Sequence, residues 1–462
     1  MLKIGVLPFA RPTFDVELAE AKLAAMLSVL EGDGRQVVGP RSLLMGSEDG
    51  EAAIAELQQG DIDRLLVLQV SFTDASLIVA AALAIEAPLA IWAIPEPRIG
   101  GRLRLNSFCG LNLASHALGL REQEFSWFYC DPERVSGNDI DGLLDGSKRV
   151  HALLASFDEN EPDKRAIEVA QGLKGKRIGR IGAHPEGFDT CAYDAFKLEK
   201  LTGVSVEALE LETLFTQAAQ APDELVVSVR SQASAVLPDL DEVDQGELDK
   251  SLRLKVALDG IREAGNYQAF ALRCWPETFT EYGGAVCGPV SMLGENKIPC
   301  ACEADVYGAL TQLILQEVSQ SAVFLTDLVD MDCDDNTGVV WHCGQAPISM
   351  RDEGVEASAT IHTNRKMPLL YEFPLKAGRV TLMRFSQGRG ETKMVLSGGE
   401  MLQRPMAFTG TSGVLRFDRP VDQVLPDMIN SGLEHHMALA YGDHREMLRG
   451  VAAALQLPVL EI

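Results

Sequence analysis

Residues 64–70 of the chain read Arg-Leu-Leu-Val-Leu-Gln-Val, an apolar run interrupted after its first residue only by Gln69. Continuous apolar runs are typical of strands that are buried on both faces, as in a parallel sheet covered by helices. Comparable runs stand at residues 3–7, 88–94 and 125–130, and segments with helical spacing such as residues 16–30 lie between them. This alternation predicts βαβ units and a parallel sheet in the first part of the chain.

A polar, proline-broken segment at residues 158–163 predicts a domain boundary near residue 160. Strand and helix patterns alternate again after it, and beyond residue 330 short strand-like runs are separated by Gly, Asn, Asp and Ser. Closely spaced short strands are typical of an antiparallel sheet or a small barrel. We therefore expect an α/β protein: two Rossmann-like, parallel-sheet domains, residues 1–160 and 161–329, followed by a β-rich, barrel-like C-terminal domain, residues 330–462.

The charge balance excludes two classes of partner. The 462 residues include 41 Lys and Arg against 67 Asp and Glu, a formal net charge of −26. Proteins that bind nucleic acid carry a basic face, and proteins that dock on anionic lipid carry basic clusters, so we expect neither partner. The hydrophobic fraction of 46% is that of an ordinary globular protein.

The chain shows no familiar targeting signal. Its first residues read as a strand ended by Pro8, without the basic region and apolar core of a secretory signal. The longest apolar stretch, residues 77–91, is broken by Glu86 and Pro88, too early for a membrane span. The nine cysteines form no regular framework, so we expect reduced thiols and a cytoplasmic location.

Three polar residues between positions 300 and 344 lie at predicted strand ends and at a helix start, where α/β proteins usually have their active sites. Glu303 begins a predicted helix, Asp327 follows the apolar run at residues 322–325, and His342 closes a run that begins at Gly338. Strand ends and helix starts of this kind meet at one edge of a sheet, and two carboxylates with an imidazole suit Mn²⁺ or Mg²⁺. The alternative is that the acidic residue is favoured at the helix start for its charge alone, and that the histidine is an ordinary strand residue.

A second concentration of polar residues lies at residues 434–444, where His435 and His436 are adjacent. Neighbouring side chains of an extended chain point to opposite faces, so we expect only one of the two to face a metal ion. The alternative is a surface pair of histidines before the last helix, with Asp443 as the N-cap of that helix.

Taken together, these segments resemble the L-fucose isomerase / L-arabinose isomerase family. The similarity is carried by residues 299–311 (PCACEADVYGALT), 326–327, 336–344 and 435–445, and it extends weakly to residues 10–15 and 92–96. It covers most of the chain, although only residues 303–344 and 435–445 match specifically.

The resemblance implies an aldose–ketose isomerase that acts on an open-chain monosaccharide through an enediol, with a divalent metal ion. Mn²⁺ is the typical ion, with Mg²⁺ and Co²⁺ as alternatives. On the matching positions Glu303, Asp327 and His436 would be metal ligands, and His342 would be a fourth ligand or a substrate contact. Glu303 and Asp327 would also be the acid/base pair, in an order that stays open. The family further implies a homo-trimer or homo-hexamer with active sites between subunits.

The motifs say less about the sugar itself, because variable loops recognise its hydroxyl groups. Candidate substrate contacts, at or beyond predicted strand ends, are Arg11, Gln69, Asn106 and Ser107. The alternative for each is an exposed surface position. A sulfonated aldose such as sulfoquinovose is the alternative substrate, for which an arginine would be the fork-shaped partner. A non-catalytic sugar-binding or sensor protein of the same layout is the alternative from another functional class.

Overall fold

The computed structural model describes residues 2–32, 35–146, 152–158 and 161–462. Its strands form three sheets, of five, four and nine strands. Residues 159 and 160, part of the predicted linker, lie outside the described residues. Within these described ranges, no helix is long and apolar enough to cross a bilayer.

The first part of the chain forms a parallel sheet with helices on both faces. Its elements are β1 (Lys3–Phe9), α1 (Val16–Glu31), β2 (Gln36–Val38), α2 (Ser47–Gln59), β3 (Arg64–Gln69), α3 (Ser76–Ala84), β4 (Leu89–Ala93), α4 (Ser107–Leu120), β5 (Phe125–Tyr129) and α5 (Gly137–Leu144). The strand order is β2-β1-β3-β4-β5, all parallel. On β3, Leu65 and Val67 join the apolar cluster of α2, α3 and α4, whereas Leu66 and Leu68 join that of α1 and α5. Burial on both faces explains the continuous apolar run.

The second unit repeats this layout around a shorter parallel sheet. Its elements are α6 (Lys164–Gly172), β6 (Arg177–Ile181), α7 (Ala195–Thr202), β7 (Ser205–Leu209), α8 (Leu211–Ala219), α9 (Asp223–Ser234), α10 (Gln245–Gly265), β8 (Ala269–Leu272), α11 (Cys287–Glu295), β9 (Cys300–Ala301) and α12 (Val306–Ser319). The order is β7-β6-β8-β9, again all parallel. The prediction of two parallel-sheet α/β units is confirmed.

The last part of the chain forms a β-rich unit. Its elements are β10 (Phe324–Asp332), β11 (Thr337–His342), β12 (Ser358–Thr360), β13 (Leu370–Pro374), β14 (Gly378–Ser386), β15 (Lys393–Met401), β16 (Thr411–Phe417), α13 (Val421–Asn430), β17 (His436–Tyr441), α14 (Arg445–Ala454) and β18 (Val459–Glu461). Six antiparallel strands, β16-β11-β10-β17-β14-β15, close into a ring because β15 also pairs with β16. The predicted barrel-like character is thereby confirmed.

Strand β10 carries Asp327 and pairs with β11 and β17 of the barrel. The predicted boundary at residue 329 places Asp327 in the second α/β unit. This placement is corrected, because the strand that carries Asp327 belongs to the barrel sheet. The apolar run of a buried strand does not specify the strand beside it, because its side chains look alike in either sheet. The domain boundaries themselves stay a prediction.

Helix α4 is buried along its length between the first sheet and the barrel, from Ser107 to Gly119. The amide of Asn112 donates to the carbonyl of Leu433 at 2.8 Å, and Nδ1 of His116 lies 2.8 Å from the carbonyl oxygen of Gly432. These carbonyls stand directly before β17. Helix α4 therefore anchors the segment that enters the barrel strand on which the second histidine of the pair lies.

The expectation of reduced thiols throughout is wrong for one pair, because Cys274 and Cys302 form a disulfide with Cα atoms 5.8 Å apart. Each follows the carboxyl end of a strand, β8 and β9, and these two strands are parallel neighbours. Sheet pairing therefore brings together two cysteines whose separation of 28 residues carries no local signal.

Candidate active site

The polar residues of the second unit and of the barrel meet where β9 ends against β10, β11 and β17. In the barrel ladder Asp327 is the register partner of Trp341 on β11 and of His436 on β17. Glu303 follows β9 and approaches the same residues across the contact between the two units. The structure thus brings Glu303, Asp327, His342 and His436 into one cluster.

Glu303 lies in the tight turn between β9 and α12 with a left-handed backbone, φ 58° and ψ 23°. Such a conformation costs a non-glycine residue about 1–3 kcal/mol. Both carboxylate oxygens are held, since the indole N–H of Trp275 donates to Oε1 at 3.1 Å and Nε2 of His435 lies 3.0 Å from Oε2. Burial raises the pKa of this carboxyl, but the hydrogen bond and charge of His435 outweigh it and lower the pKa to about 2. Glu303 is therefore a fixed, ionised carboxylate.

His436 is oriented from behind by a buried ion pair. Its Nδ1 lies 2.9 Å from Oδ2 of Asp305, and the guanidinium of Arg384 binds both oxygens of that carboxylate, at 2.5 and 3.0 Å. Burial raises the pKa of Asp305, but the charge of Arg384 and the contact with His436 lower it far below its usual range. An ionised carboxylate accepts, so Nδ1 of His436 carries a proton. Burial lowers the pKa of His436, but the hydrogen bond to Asp305 and the charges of Asp327 and Glu303 raise it above its ordinary value. Its Nε2 faces the cluster, and a cation bound there would displace any proton from that atom.

The Nε2 atom of His436 faces two carboxylates, 3.3 Å from Oδ1 of Asp327 and 3.9 Å from Oε2 of Glu303. Oδ1 of Asp327 is buried and has no hydrogen-bond partner among the described residues. A buried, unpartnered carboxylate oxygen is costly unless a cation or a substrate group satisfies it.

His342 has its own, different hydrogen-bond pattern. Its Nδ1 accepts the backbone N–H of Cys343 at 2.9 Å, and its Nε2 is buried without a partner among the residues described. Burial lowers the pKa of His342 to about 4, so the ring is neutral at physiological pH. With Nδ1 accepting, the single proton lies on Nε2. This arrangement suits a donor to a substrate oxygen better than a metal ligand, which needs a free lone pair.

The residues present fit a divalent cation. Ligand atoms of Glu303, His435 and His436 lie within 4.8 Å of one another, and so do those of Asp327, His342 and His436. The two sets share His436, whose protonated Nδ1 rests on a carboxylate, the usual arrangement behind a metal-bound imidazole. Mixed carboxylate and imidazole donors suit Mn²⁺, Mg²⁺ or a borderline metal.

A third group of potential ligands, Cys191, Asp305 and His436, fits a metal poorly. Burial raises the pKa of the Cys191 thiol well above its usual value, so that the thiol is neutral and not a thiolate. Asp305 is engaged by Arg384 and by the N-terminus of α12, where its Oδ1 accepts the backbone N–H of Gly308. Within this group, Asp305 therefore orients His436 and is not itself a ligand of the candidate cation site.

The cluster opens into a cavity with aromatic walls and a polar end. The aromatic residues are Phe14, Phe72, Trp275, Phe279 and Trp341. At the polar end, the Cζ atoms of Arg11 and Arg365 lie 5.7 and 5.6 Å from the Trp275 ring centroid. Largely apolar cavities with a few converging polar groups are typical of sites for small molecules.

Of the four candidate substrate contacts, Arg11 and Asn106 line this cavity. Gln69 and Ser107 do not, which corrects the expectation for both. Gln69 donates to the carbonyl of Ser71 at 2.7 Å, and the hydroxyl of Ser107 donates to the carbonyl of Gln69. These side chains donate hydrogen bonds to backbone carbonyls where β3 ends and α4 begins. Both residues therefore have a structural role, although the prediction placed them at or beyond strand ends.

The expectation that only one of the adjacent histidines faces the cluster of candidate metal ligands is wrong. Both rings reach Glu303, since β17 begins at His436 and the alternation of an extended strand does not yet apply to His435. The alternative of a surface pair is also excluded, because both are buried. The N-cap of α14 is His444 rather than Asp443.

Four further residues of the site escape sequence reasoning: Trp275, Asp305, Arg365 and Arg384. Two had usable signals. An Asp directly before an apolar helix is an N-cap signature, and a lone Arg inside the apolar run of β14 indicates a buried ion pair. Trp275 and Arg365 stand in loops without a motif.

Comparisons with known proteins agree with this geometry. The family profile of the fucose/sulfoquinovose isomerase N-terminal domain matches residues 5–150. A sulfoquinovose isomerase of Alkalicoccus urumqiensis is 30% identical over 463 residues, covering 100% of both chains. Two others, of Priestia megaterium and a Clostridium species, are 28% and 29% identical and cover 97% and 98% of both chains. The chain therefore belongs to the L-fucose isomerase-like family and is an aldose–ketose isomerase of carbohydrate metabolism.

Proposed function

We propose that this isomerase converts a sulfonated aldose of the sulfoquinovose type into its ketose, with a divalent cation held by Glu303, Asp327 and His436. The observation that carries the cation site is the buried, unpartnered Oδ1 of Asp327 facing Nε2 of His436. Relatives that match this chain over nearly its whole length share the name sulfoquinovose isomerase, and this supports a sulfonated substrate over an unspecified monosaccharide.

The reaction requires a proton to leave C2 and return at C1, while another proton moves between O1 and O2. A bound divalent cation supplies Lewis-acid stabilisation of the charge that develops on these oxygens. Glu303 and Asp327 face the same cavity, so that one accepts the carbon-bound proton while the other serves the hydroxyl proton. His342 donates from Nε2 to a sugar oxygen and orients the reacting end.

Mn²⁺ is the proposed ion, with Mg²⁺ and Co²⁺ as alternatives, because the donors are hard carboxylates with one borderline imidazole. A homo-trimer or homo-hexamer is likewise proposed from the family resemblance, and light scattering coupled to size exclusion tests it. A cytoplasmic location is proposed from the metabolic chemistry. The Cys274–Cys302 disulfide stands against it, since disulfides are rare in reducing compartments.

The deciding experiment follows the conversion of sulfoquinovose to its ketose by NMR, beside D-glucose, its counterpart with a hydroxyl group on C6. Protein stripped with EDTA is expected to lose turnover and to regain it with Mn²⁺. Glu303→Gln and Asp327→Asn are expected to lower kcat at least about 1,000-fold while the circular dichroism stays unchanged. Turnover that survives both stripping and substitution would contradict the metal site. A preference for glucose would contradict the substrate, and absence of turnover on any aldose would favour the sensor.

A further inference from the structure

We propose that Arg11 and Arg365, which both lie against the indole of Trp275, form the subsite that binds the sulfonate of the substrate. This inference rests on the proposed function and deepens it, because it assigns a recognition role to a loop residue outside every motif.

Arg365 is presented to the cavity by a tight turn between β12 and β13. Nδ1 of His362 accepts the backbone N–H groups of Asn364 and Arg365, both at 3.2 Å. The carbonyl of the same histidine accepts the N–H of Lys366 at 2.7 Å. The His362 ring packs edge-on against Phe279 at 5.2 Å. The backbone that carries the arginine is therefore organised before any ligand binds, which reduces the entropy cost of binding.

Among the residues that the structure describes, the guanidinium of Arg365 forms no hydrogen bond and no ion pair, and its Cζ atom lies 5.6 Å from the centroid of the Trp275 ring. Arg11 lies against the same ring and pairs with Asp74 at 2.6 Å. Burial lowers the pKa of Arg365, and so does repulsion from the positive charge of Arg11. Two arginines with one carboxylate leave one positive charge for an anionic ligand to neutralise.

Trp275 connects this cationic end to the reacting end. Its ring contacts both guanidinium groups, while its Nε1 donates to Oε1 of Glu303. A hexose whose C1 and C2 lie at the carboxylates can extend along the indole, which directs the group on C6 toward the arginines.

A sulfonate suits this end better than a hydroxyl group. It is permanently anionic and offers three acceptor oxygens to the planar forks of arginine. The net charge of −26 opposes approach of an anion, so a local cationic pair is needed to retain it. A neutral aldose would leave the charge of Arg365 without a counter-ion in the occupied cavity, and this discriminates against it.

The test compares the wild type with Arg365→Met, Arg365→Lys and a matched control, Arg404→Met, which removes an arginine paired with Asp335 outside the cavity. Steady-state kinetics use sulfoquinovose and D-glucose. Calorimetry with propane-1-sulfonate measures binding of the sulfonate alone. We expect Arg365→Met to raise KM for sulfoquinovose about 30-fold or more, with a smaller change in kcat. Arg365→Lys is expected to fall between, because it keeps the charge but loses the fork.

Each outcome separates the subsite from the proposed function. The subsite is supported if Arg365→Met lowers the sulfoquinovose-to-glucose ratio of kcat/KM and weakens propane-1-sulfonate binding, while Arg404→Met does neither. Equal effects of Arg365→Met and Arg404→Met, or an unchanged ratio, would overturn it. A wild type that isomerises only neutral aldoses would refute the proposed substrate, and the calorimetry would still decide whether Arg365 binds a sulfonate.

Discussion

Asp305 holds His436 through Nδ1 at 2.9 Å, while Arg384 holds Asp305 from the opposite side. All three side chains are fully buried. The pair fixes the ring orientation and keeps a proton on Nδ1, so that Nε2 faces Asp327 and Glu303. The orientation of His436 in the cluster thus depends on a carboxylate that lies behind the ring, on the side away from Asp327 and Glu303.

Replacing Asp305 with Asn tests this orientation. Asn still caps α12, but it neither carries the charge for Arg384 nor requires the proton on Nδ1 of His436. We expect Mn²⁺ affinity to fall about 10- to 100-fold, measured by titration of the metal-free protein. The matched control is Asp194→Asn, since Asp194 caps α7 in the same way outside the cluster. Equal Mn²⁺ affinity in the two variants would show that Asp305 is only a cap.

Two substitutions at His342 separate its two nitrogen atoms. His342→Asn keeps an acceptor for the N–H of Cys343 and loses the Nε2 donor, whereas His342→Gln keeps a donor near Nε2. For a substrate contact, we expect His342→Asn to raise KM about tenfold, more than His342→Gln, with Mn²⁺ affinity nearly unchanged. A loss of Mn²⁺ affinity of about tenfold or more in both variants would instead identify a fourth ligand.

The lowered pKa of His362 should make the free energy of unfolding depend measurably on pH. Burial, and then the positive charge of Arg365, lowers its pKa to about 3. The unfolded chain binds this proton near pH 6.5, so the neutral ring stabilises the fold fully above about pH 6.5 and progressively less down to about pH 3. His362→Asn keeps the acceptor and removes the titration. Between about pH 6.5 and pH 5, the wild type should lose about 2 kcal/mol relative to this variant in urea unfolding, and parallel curves would contradict the assignment.

Gly344 lies two residues beyond His342, where the chain after β11 passes close to the backbone of β13. Replacing this glycine tests how much room this close approach leaves. Its φ is +70°, and a Cβ atom there would lie 2.6 Å from the carbonyl oxygen of Tyr371. Gly100 has a similar φ of +79° with nothing within 4 Å of a Cβ. We expect Gly344→Ala to cost about 2–4 kcal/mol of unfolding free energy, against about 1 kcal/mol for Gly100→Ala. Equal losses would mean that only the backbone angle matters.

Local patterns carried the prediction of the fold class and singled out Glu303 and Asp327, and the resemblance to the family selected His436. The continuous apolar run of β3 and the helical spacing between runs reflect burial on two faces, a property of the nearest neighbours in the chain. The resemblance to the family rests on short segments around residues 303–344 and 435–445. Such features are readable without any knowledge of which strand lies beside which.

Tertiary structure alone decided which residues complete the site. Strand β10 joins the barrel, Cys274 meets Cys302, and Trp275 meets both Glu303 and the two arginines because distant segments pack together. Arg365 stands in a loop with no periodicity to read, and the proton on Nδ1 of His436 follows from Asp305, which is 131 residues away in sequence. The sequence by itself determined the units of the fold and the chemistry they carry. The packing between those units decided the geometry and protonation of the site and the position of the proposed sulfonate subsite, because these depend on contacts that no local pattern encodes.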